Sequence, residues 1–165
     1  MALTKVREAG YDLTIAKLPS GSPIQVVSHS ITSGASTSSS TATALVTLGA
    51  ITTTQASSKI LVQIDVPVQV GNNGNGKGVY SLRSSIDSYG SALQQHVAVN
   101  YTDSSNGWVQ LPSPYNFLHT HAQSVGTEIT YKLYGLKSAG NNGIYVLDAW
   151  SLSPNHSVVL TEIVG

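Results

Sequence analysis

The chain has no cysteine, which excludes a disulfide framework and a thiolate metal site and leaves burial and association as its sources of stability. Charge is scarce as well: Asp, Glu, Lys and Arg make up 10% of the residues, against about 25% in an average soluble domain. The eight basic and eight acidic residues cancel and are scattered, so there is no electrostatic footprint for nucleic acid or for an anionic membrane. A near-neutral surface also puts little repulsion between copies, which suits a protein that assembles. No stretch approaches the ~18 apolar residues of a membrane span. The start, MALTKVREAGYDLTIAKLP, lacks the apolar core and small-residue cleavage site of a signal peptide, so a product of the cytoplasm is expected.

What is present is hydroxyl and β-pattern. Ser and Thr form roughly a quarter of the chain and take over from charge in keeping the surface wet. The 165 residues suit about one domain. Residues 1–22 differ in texture from the rest and end in LPSGSP, whose Pro19, Gly21 and Pro23 punctuate the chain. They are read as an arm, with the domain over 23–165.

From Ile24 onward, strand patterns recur with turn clusters between them: PIQVVSHSI, ALVTLGAIT, KILVQIDVPVQV, VYSLRSSID, ALQQHVAVNY, WVQL, YNFLHTHA, EITYKLYGL, GIYVLDAWSL and SVVLTEIV. In KILVQIDVPVQV the residues Ile60, Val62, Ile64, Val66, Val68 and Val70 share one parity while Gln63, Asp65 and Gln69 take the other, the period of a half-buried strand. The expectation is an all-β fold, an antiparallel sandwich or jelly-roll-like domain of about eight to ten strands with almost no helix. Pro67 removes a ladder donor and predicts a sheet edge or a bulge in the longest strand. The run TSGASTSSSTAT reads as a long loop carrying the chain between sheets, or else as a disordered linker.

VGNNGNGKG places Gly71, Gly76 and Lys77 at the spacing of a phosphate-binding loop. That loop needs Ser or Thr next, to hold magnesium, and a helix to cradle phosphates. Gly78 stands there instead, followed by an alternating strand, so the segment is read as a hairpin connector, with Asn and Gly supplying positive φ. YGLKSAGNNGIYVL repeats the same hairpin signal at Asn141, Asn142 and Gly143.

Catalytic signatures are missing. No G-x-S-x-G elbow marks a nucleophile among the many serines, and Asp65, Asp87, Asp103, Glu128, Asp148 and Glu162 sit singly in separate segments, where a glycosidase needs two facing carboxylates. The protein is expected not to be an enzyme and to carry no cofactor. In FLHTHA, His119 and His121 stand two apart in a strand and point to one face. They are weak metal-ligand candidates, since one pair is too few for a closed site and the alternative is exposed or hydrogen-bonded surface histidines. Tyr89, Tyr101, Trp108 and Tyr115 lie in or near Gly/Ser/Asn/Pro-rich connectors, where flat amphipathic side chains could form a ligand or partner surface or could anchor loops. Trp150 shares a parity with Ile144 and Val146 and reads as core.

Five pieces in order, MALTKV, GSPIQVVS, ASSKILVQIDVPV, TYKLYG and the closing LTEIVG, resemble a family of small virion proteins of marine and cyanobacterial bacteriophages, tail-fibre-like or surface structural proteins. The chain departs from that pattern at Leu118–His121, where the family has a Leu-Asp-x-Pro turn. A threefold repeat of His119 and His121 would be similar to the His-x-His ion sites of some phage fibre needles. The resemblance implies a jelly-roll-like or sandwich domain, a homotrimer, held on the particle through the arm residues Leu3, Val6, Tyr11, Leu13, Ile15 and Leu18. Its partners would be capsid or tail proteins, and host cell-surface polysaccharide if it serves as a short fibre or knob rather than as a capsid decoration (cement) protein. A soluble carbohydrate-binding module using the loop aromatics is the alternative.

Overall fold

The computed structural model of the protein describes residues 7–8, 11–12, 18–71, 76–100, 108–139, 143–146 and 156–165. Within residues 1–22, β1 (Arg7–Glu8) and β2 (Tyr11–Asp12) form a short antiparallel ladder. The strands that follow are β3 (Pro23–Ile31), β4 (Ala35–Thr37), β5 (Thr43–Thr52), β6 (Lys59–Gly71), β7 (Gly76–Ser84), β8 (Gln94–Asn100), β9 (Trp108–Thr120), β10 (Glu128–Ala139), β11 (Ile144–Val146) and β12 (His156–Ile163). WVQL and YNFLHTHA are thus parts of one strand, β9. No helix among the described residues is long and apolar enough to cross a membrane.

Alternation explains the burial. Along β6, Ile60, Val62, Ile64, Val66 and Val68 are buried while Gln63 and Asp65 are exposed, and β10 repeats the pattern with Ile129, Tyr131 and Leu133 inside. Each such side chain contributes roughly 1.5–3 kcal/mol on leaving water. Two sheets bury these faces against each other around one core cluster. One sheet has the order β5-β10-β7-β8. In the other, β9 flanks one side of β6, and the opposite side is met by β12 along Lys59–Ile64 and by β11 along Val68–Val70, with β3 and β4 beyond them.

Counting β3 with β4 and β11 with β12 as interrupted single strands leaves two four-stranded antiparallel sheets, ordered β3-β12-β6-β9 and β5-β10-β7-β8. Numbered along the chain these are 1-8-3-6 and 2-7-4-5, the double Greek key of a jelly roll. The all-β sandwich expected from the pattern is therefore the observed fold, and the Ser/Thr run is the crossover from β3 to β5, with β4 inside it.

The strand partners differ from expectation in three places. The Gly/Asn connector between β6 and β7 is not a hairpin turn, because β6 and β7 lie in opposite sheets; both flanks of β6 are already taken by β9, β12 and β11. The β10 to β11 connection crosses between sheets in the same way. Pro67 is neither on an edge strand nor at a register shift: it faces Pro112 in the β6–β9 pair. Opposed prolines fit a non-hydrogen-bonded pair, in which each nitrogen points away from the partner. The missing donor of Pro67 then falls in the gap between β12 and β11, and that of Pro112 on the outer side of β9.

A histidine closes each open side of the sandwich. On one, His29 Nε2 lies 2.9 Å from the carbonyl of Ala50 and its ring covers Gly49, whose φ of +139° and lack of a Cβ permit the approach. On the other, His96 of β8 stacks on Tyr115 of β9 with ring centroids 4.1 Å apart and planes 8° off parallel.

Candidate functional site

The connectors 53–58, 85–93 and 121–127 gather at one end of the sandwich, the end at which β3 begins and β12 finishes. Strand β12 alternates Val158, Leu160 and Glu162 inward, so a carboxylate arrives at an apolar position and is fully buried. It is met by four donors: the N–H groups of Thr54 (2.9 Å) and Gln55 (3.1 Å), and the hydroxyls of Thr54 and Ser58 (2.6 Å each). A buried carboxylate persists when it is satisfied in this way. Beside it, Thr53 ties the connectors together, its hydroxyl donating to the Ser124 carbonyl at 2.7 Å while the Gly126 N–H donates to the Thr53 carbonyl at 2.8 Å. Residues 21 and 22 join the same end, through Gly21 N–H to the Val164 carbonyl and Val164 N–H to the Ser22 carbonyl, both 2.9 Å.

His119 and His121 lie here and do share a face, with ring centroids 6.0 Å apart. Both are 7% exposed, so they are interior groups and not exposed surface histidines: β9 turns this parity toward the core. His119 Nδ1 is 2.8 Å from the Tyr131 hydroxyl. His121 Nδ1 accepts from the Gln123 N–H at 3.2 Å, which places its proton on Nε2, buried and without a partner among the described residues. Burial first, and the neighbouring His121 second, hold the His119 pKa down to about 4. Burial lowers that of His121 too, against the opposing pull of Glu162. As metal ligands they offer two nitrogens, and no group of three His, Cys, Asp or Glu side chains gathers among the described residues.

A second constellation covers the outer face of the β5-β10-β7-β8 sheet. The strand expected through Asp87 ends at Ser84, and a single 3-10 turn (Ser85–Asp87) leads into Ser88 and Tyr89 with φ of +56° and +64°. This turn lays Tyr89 beside Tyr134, ring centroids 6.0 Å apart. Arg83 sits over the Tyr134 ring at 4.8 Å and Lys132 over the Tyr89 ring at 4.5 Å. Arg83 also holds the turn, its Nη1 donating to the carbonyl of Tyr89 at 2.8 Å and of Gly90 at 3.2 Å.

The expected ligand surface is therefore divided. Tyr89 is half-buried on this face. Tyr115 is a correction: it is fully buried between the sheets, because Pro112–Thr120 continues as strand and puts Tyr115 on the inward parity with Ser113 and His119. Trp108 is described only as the first residue of β9, paired with Gly71, and Tyr101 and Trp150 lie outside the described residues. Of the arm residues, Leu3, Val6, Leu13 and Ile15 lie outside them, Tyr11 belongs to β2, and Leu18 is half-buried at the arm root. Glu162 was missed although its signal was present, a lone carboxylate on the apolar parity of SVVLTEIV. Arg83, Lys132 and Tyr134 had no such signal.

No protein-family model and no curated protein matches the chain. Among solved structures it is similar to infectious bursal disease virus Gt strain, at 14% identity over 95% of this chain and 36% of the other, with a TM-score of 0.44. T=1 particles derived from infectious bursal virus follow at 14% identity, 93% and 34% coverage and a TM-score of 0.44. The chain spans about a third of the length of these two proteins. Likeness of this degree carries no argument about function.

Proposed function

We propose that the protein is a non-enzymatic structural protein of a bacteriophage virion, docked through residues 1–22 and projecting its jelly roll as a homotrimer. The observation that carries the reading is a rung of three apolar side chains and one threonine on the outer face of the β3-β12-β6-β9 sheet. Leu118, Leu61, Thr161 and Val26 stand opposite one another in register across the four strands. Leu118 is 45% and Val26 61% exposed. Val159 and Ile163 flank the rung on β12, half-buried. Strands about 4.8 Å apart bring these side chains side by side across the sheet, with the exposed Val26 and Leu118 at its two edges, and contiguous exposed apolar surface favours association. With 10% charged residues in the chain, little opposes contact between copies.

The arm root and the final strand meet at the end braced around Glu162, which supplies a firm base for docking. The sequence resemblance to phage virion proteins supplies the particle. Head and tail positions both fit a short arm and a single β domain.

Sedimentation of the purified chain is expected to give a trimer, and Leu118→Asp combined with Val26→Asp is expected to give a folded monomer of 17.2 kDa. A wild type that remains monomeric at high concentration removes the homotrimer. Antibody labelling of native virions then decides position: label over the head means a decoration protein, and label at the tail a fibre or knob. Particles without label overturn the virion reading.

A further inference from the structure

Arg83 and Lys132 face each other directly across the β7–β10 ladder. Like charges in that relation repel, and neither meets a carboxylate among the described residues. Of the two carboxylates four residues away along the chain, Glu128 starts β10 without an ion pair to Lys132, and Asp87 accepts from the Ser91 N–H at 2.7 Å. Each cation lies on a tyrosine, and one of those tyrosines is held in place by two consecutive left-handed residues, Ser88 and Tyr89, a conformation that side chains other than glycine adopt at a cost. Opposed charge and local strain meet where the β10–β5 register also shifts, before Lys132 and again before Tyr134, and irregularity concentrated at one spot points to a functional surface.

The donors left over define what it would take. Arg83 uses Nε and Nη1 within the protein, on Ser81 Oγ and on the carbonyls of Tyr89 and Gly90, which leaves Nη2. Lys132 Nζ and the hydroxyls of Tyr89 and Tyr134 have no hydrogen-bond partner among the described residues. One rung beyond Tyr134, and two beyond the Arg83–Lys132 pair, Val79 and Val97 are paired in register on the same face, with Val97 55% exposed. The patch therefore combines cationic donors, hydroxyls, aromatic rings and a small apolar shelf on one sheet face.

We infer that this patch binds an acidic polysaccharide, its carboxylate or sulfate oxygens taken by Lys132 and Arg83 and its ring carbons resting against Tyr134 and Val97. A nucleic acid would need a broad basic field, which a chain of zero net charge does not provide. An extended acidic peptide adds at a sheet edge, whereas Arg83 and Lys132 stand on the two central strands of their sheet. The inference is independent of the virion reading, since it concerns one chain and a different sheet face from the assembly rung.

The test is binding of the purified full chain, without particles, to immobilised alginate, heparin, dextran and poly-glutamate at physiological salt. Binding to alginate or heparin and not to dextran is expected, the uronate-only polymer and the sulfated one distinguishing which anion is preferred. Lys132→Gln should weaken it about tenfold, as expected for one lost charge-assisted contact. Lys59→Gln, an equal charge change on β6 in the other sheet, should leave it within about twofold, as for a charge away from the patch. Circular dichroism checks that both variants fold. No binding to either acidic polymer, equal binding to dextran, equal or tighter binding to poly-glutamate, or equal losses in the two variants would each overturn the inference.

Discussion

Replacing Glu162 by alanine removes the acceptor around which the 53–58 connector is braced, and the local geometry sets the size of the loss. Of the four donors, the Ser58 hydroxyl can turn to the Gln55 carbonyl at 3.0 Å, and the Thr54 hydroxyl can reach water because that residue is exposed. The N–H groups of Thr54 and Gln55 cannot rotate. Stranding them costs about 1 kcal/mol each where water partly replaces the acceptor, and the emptied space inside β12 adds about 1 kcal/mol. The total of about 3 kcal/mol corresponds to a fall in Tm of roughly 9 °C for a chain of this size. Glu162→Gln should behave differently. Its carbonyl oxygen can keep the Thr54 N–H, the Gln55 N–H and the Ser58 hydroxyl, while its amide donates to a reversed Thr54 hydroxyl. Only the charge assistance is lost, about 1 kcal/mol. Urea and thermal unfolding, followed by circular dichroism at one fixed protein concentration because association shifts apparent stability, measure both. An alanine variant within 1 kcal/mol of wild type (about the size of one net hydrogen bond), or a glutamine variant as damaged as the alanine one, would refute the reasoning.

Gly49→Ala should be among the most damaging single changes: a Cβ there would lie 2.2 Å from the His29 ring, and with φ at +139° a loss above about 3 kcal/mol is expected. Adding His29→Ala should recover only part of it in urea unfolding, since the backbone conformation remains hostile to a side chain. Stability should also fall on acidification through His119. Its pKa lies near 4 in the folded protein against an ordinary 6.5, so the unfolded chain takes up the proton first. The contribution is complete above pH 6.5 and is lost progressively as pH drops toward 4. Between pH 7 and 4.5, wild type should lose about 2 kcal/mol more than His119→Asn does; equal pH slopes for the two proteins would show that His119 is not the group responsible.

The local content of the fold was legible from particular residues. The alternation of Ile60, Val62, Ile64 and Val66 against Gln63 and Asp65 announces a strand with one buried face, and the Asn/Gly cluster after Val70 announces that it stops. The same alternation carried the burial of Glu162 beside Val158 and Leu160, and the shared face of His119 and His121. Tyr115 was misplaced because Pro112 and Pro114 look like a connector, yet both sit in a strand whose missing donors fall where no partner needs them.

What the residues by themselves determined is therefore a cysteine-free, charge-poor chain of half-buried strands, because side-chain period and composition are properties of the chain within a few residues. What only the tertiary structure decided is which strand lies beside which. The choice to send β7 away from β6, to set Pro67 against Pro112, and to bring Arg83 over Tyr134 and Lys132 over Tyr89 depends on register between segments distant in sequence. That register follows from burying both apolar faces at once, a condition that no single segment carries.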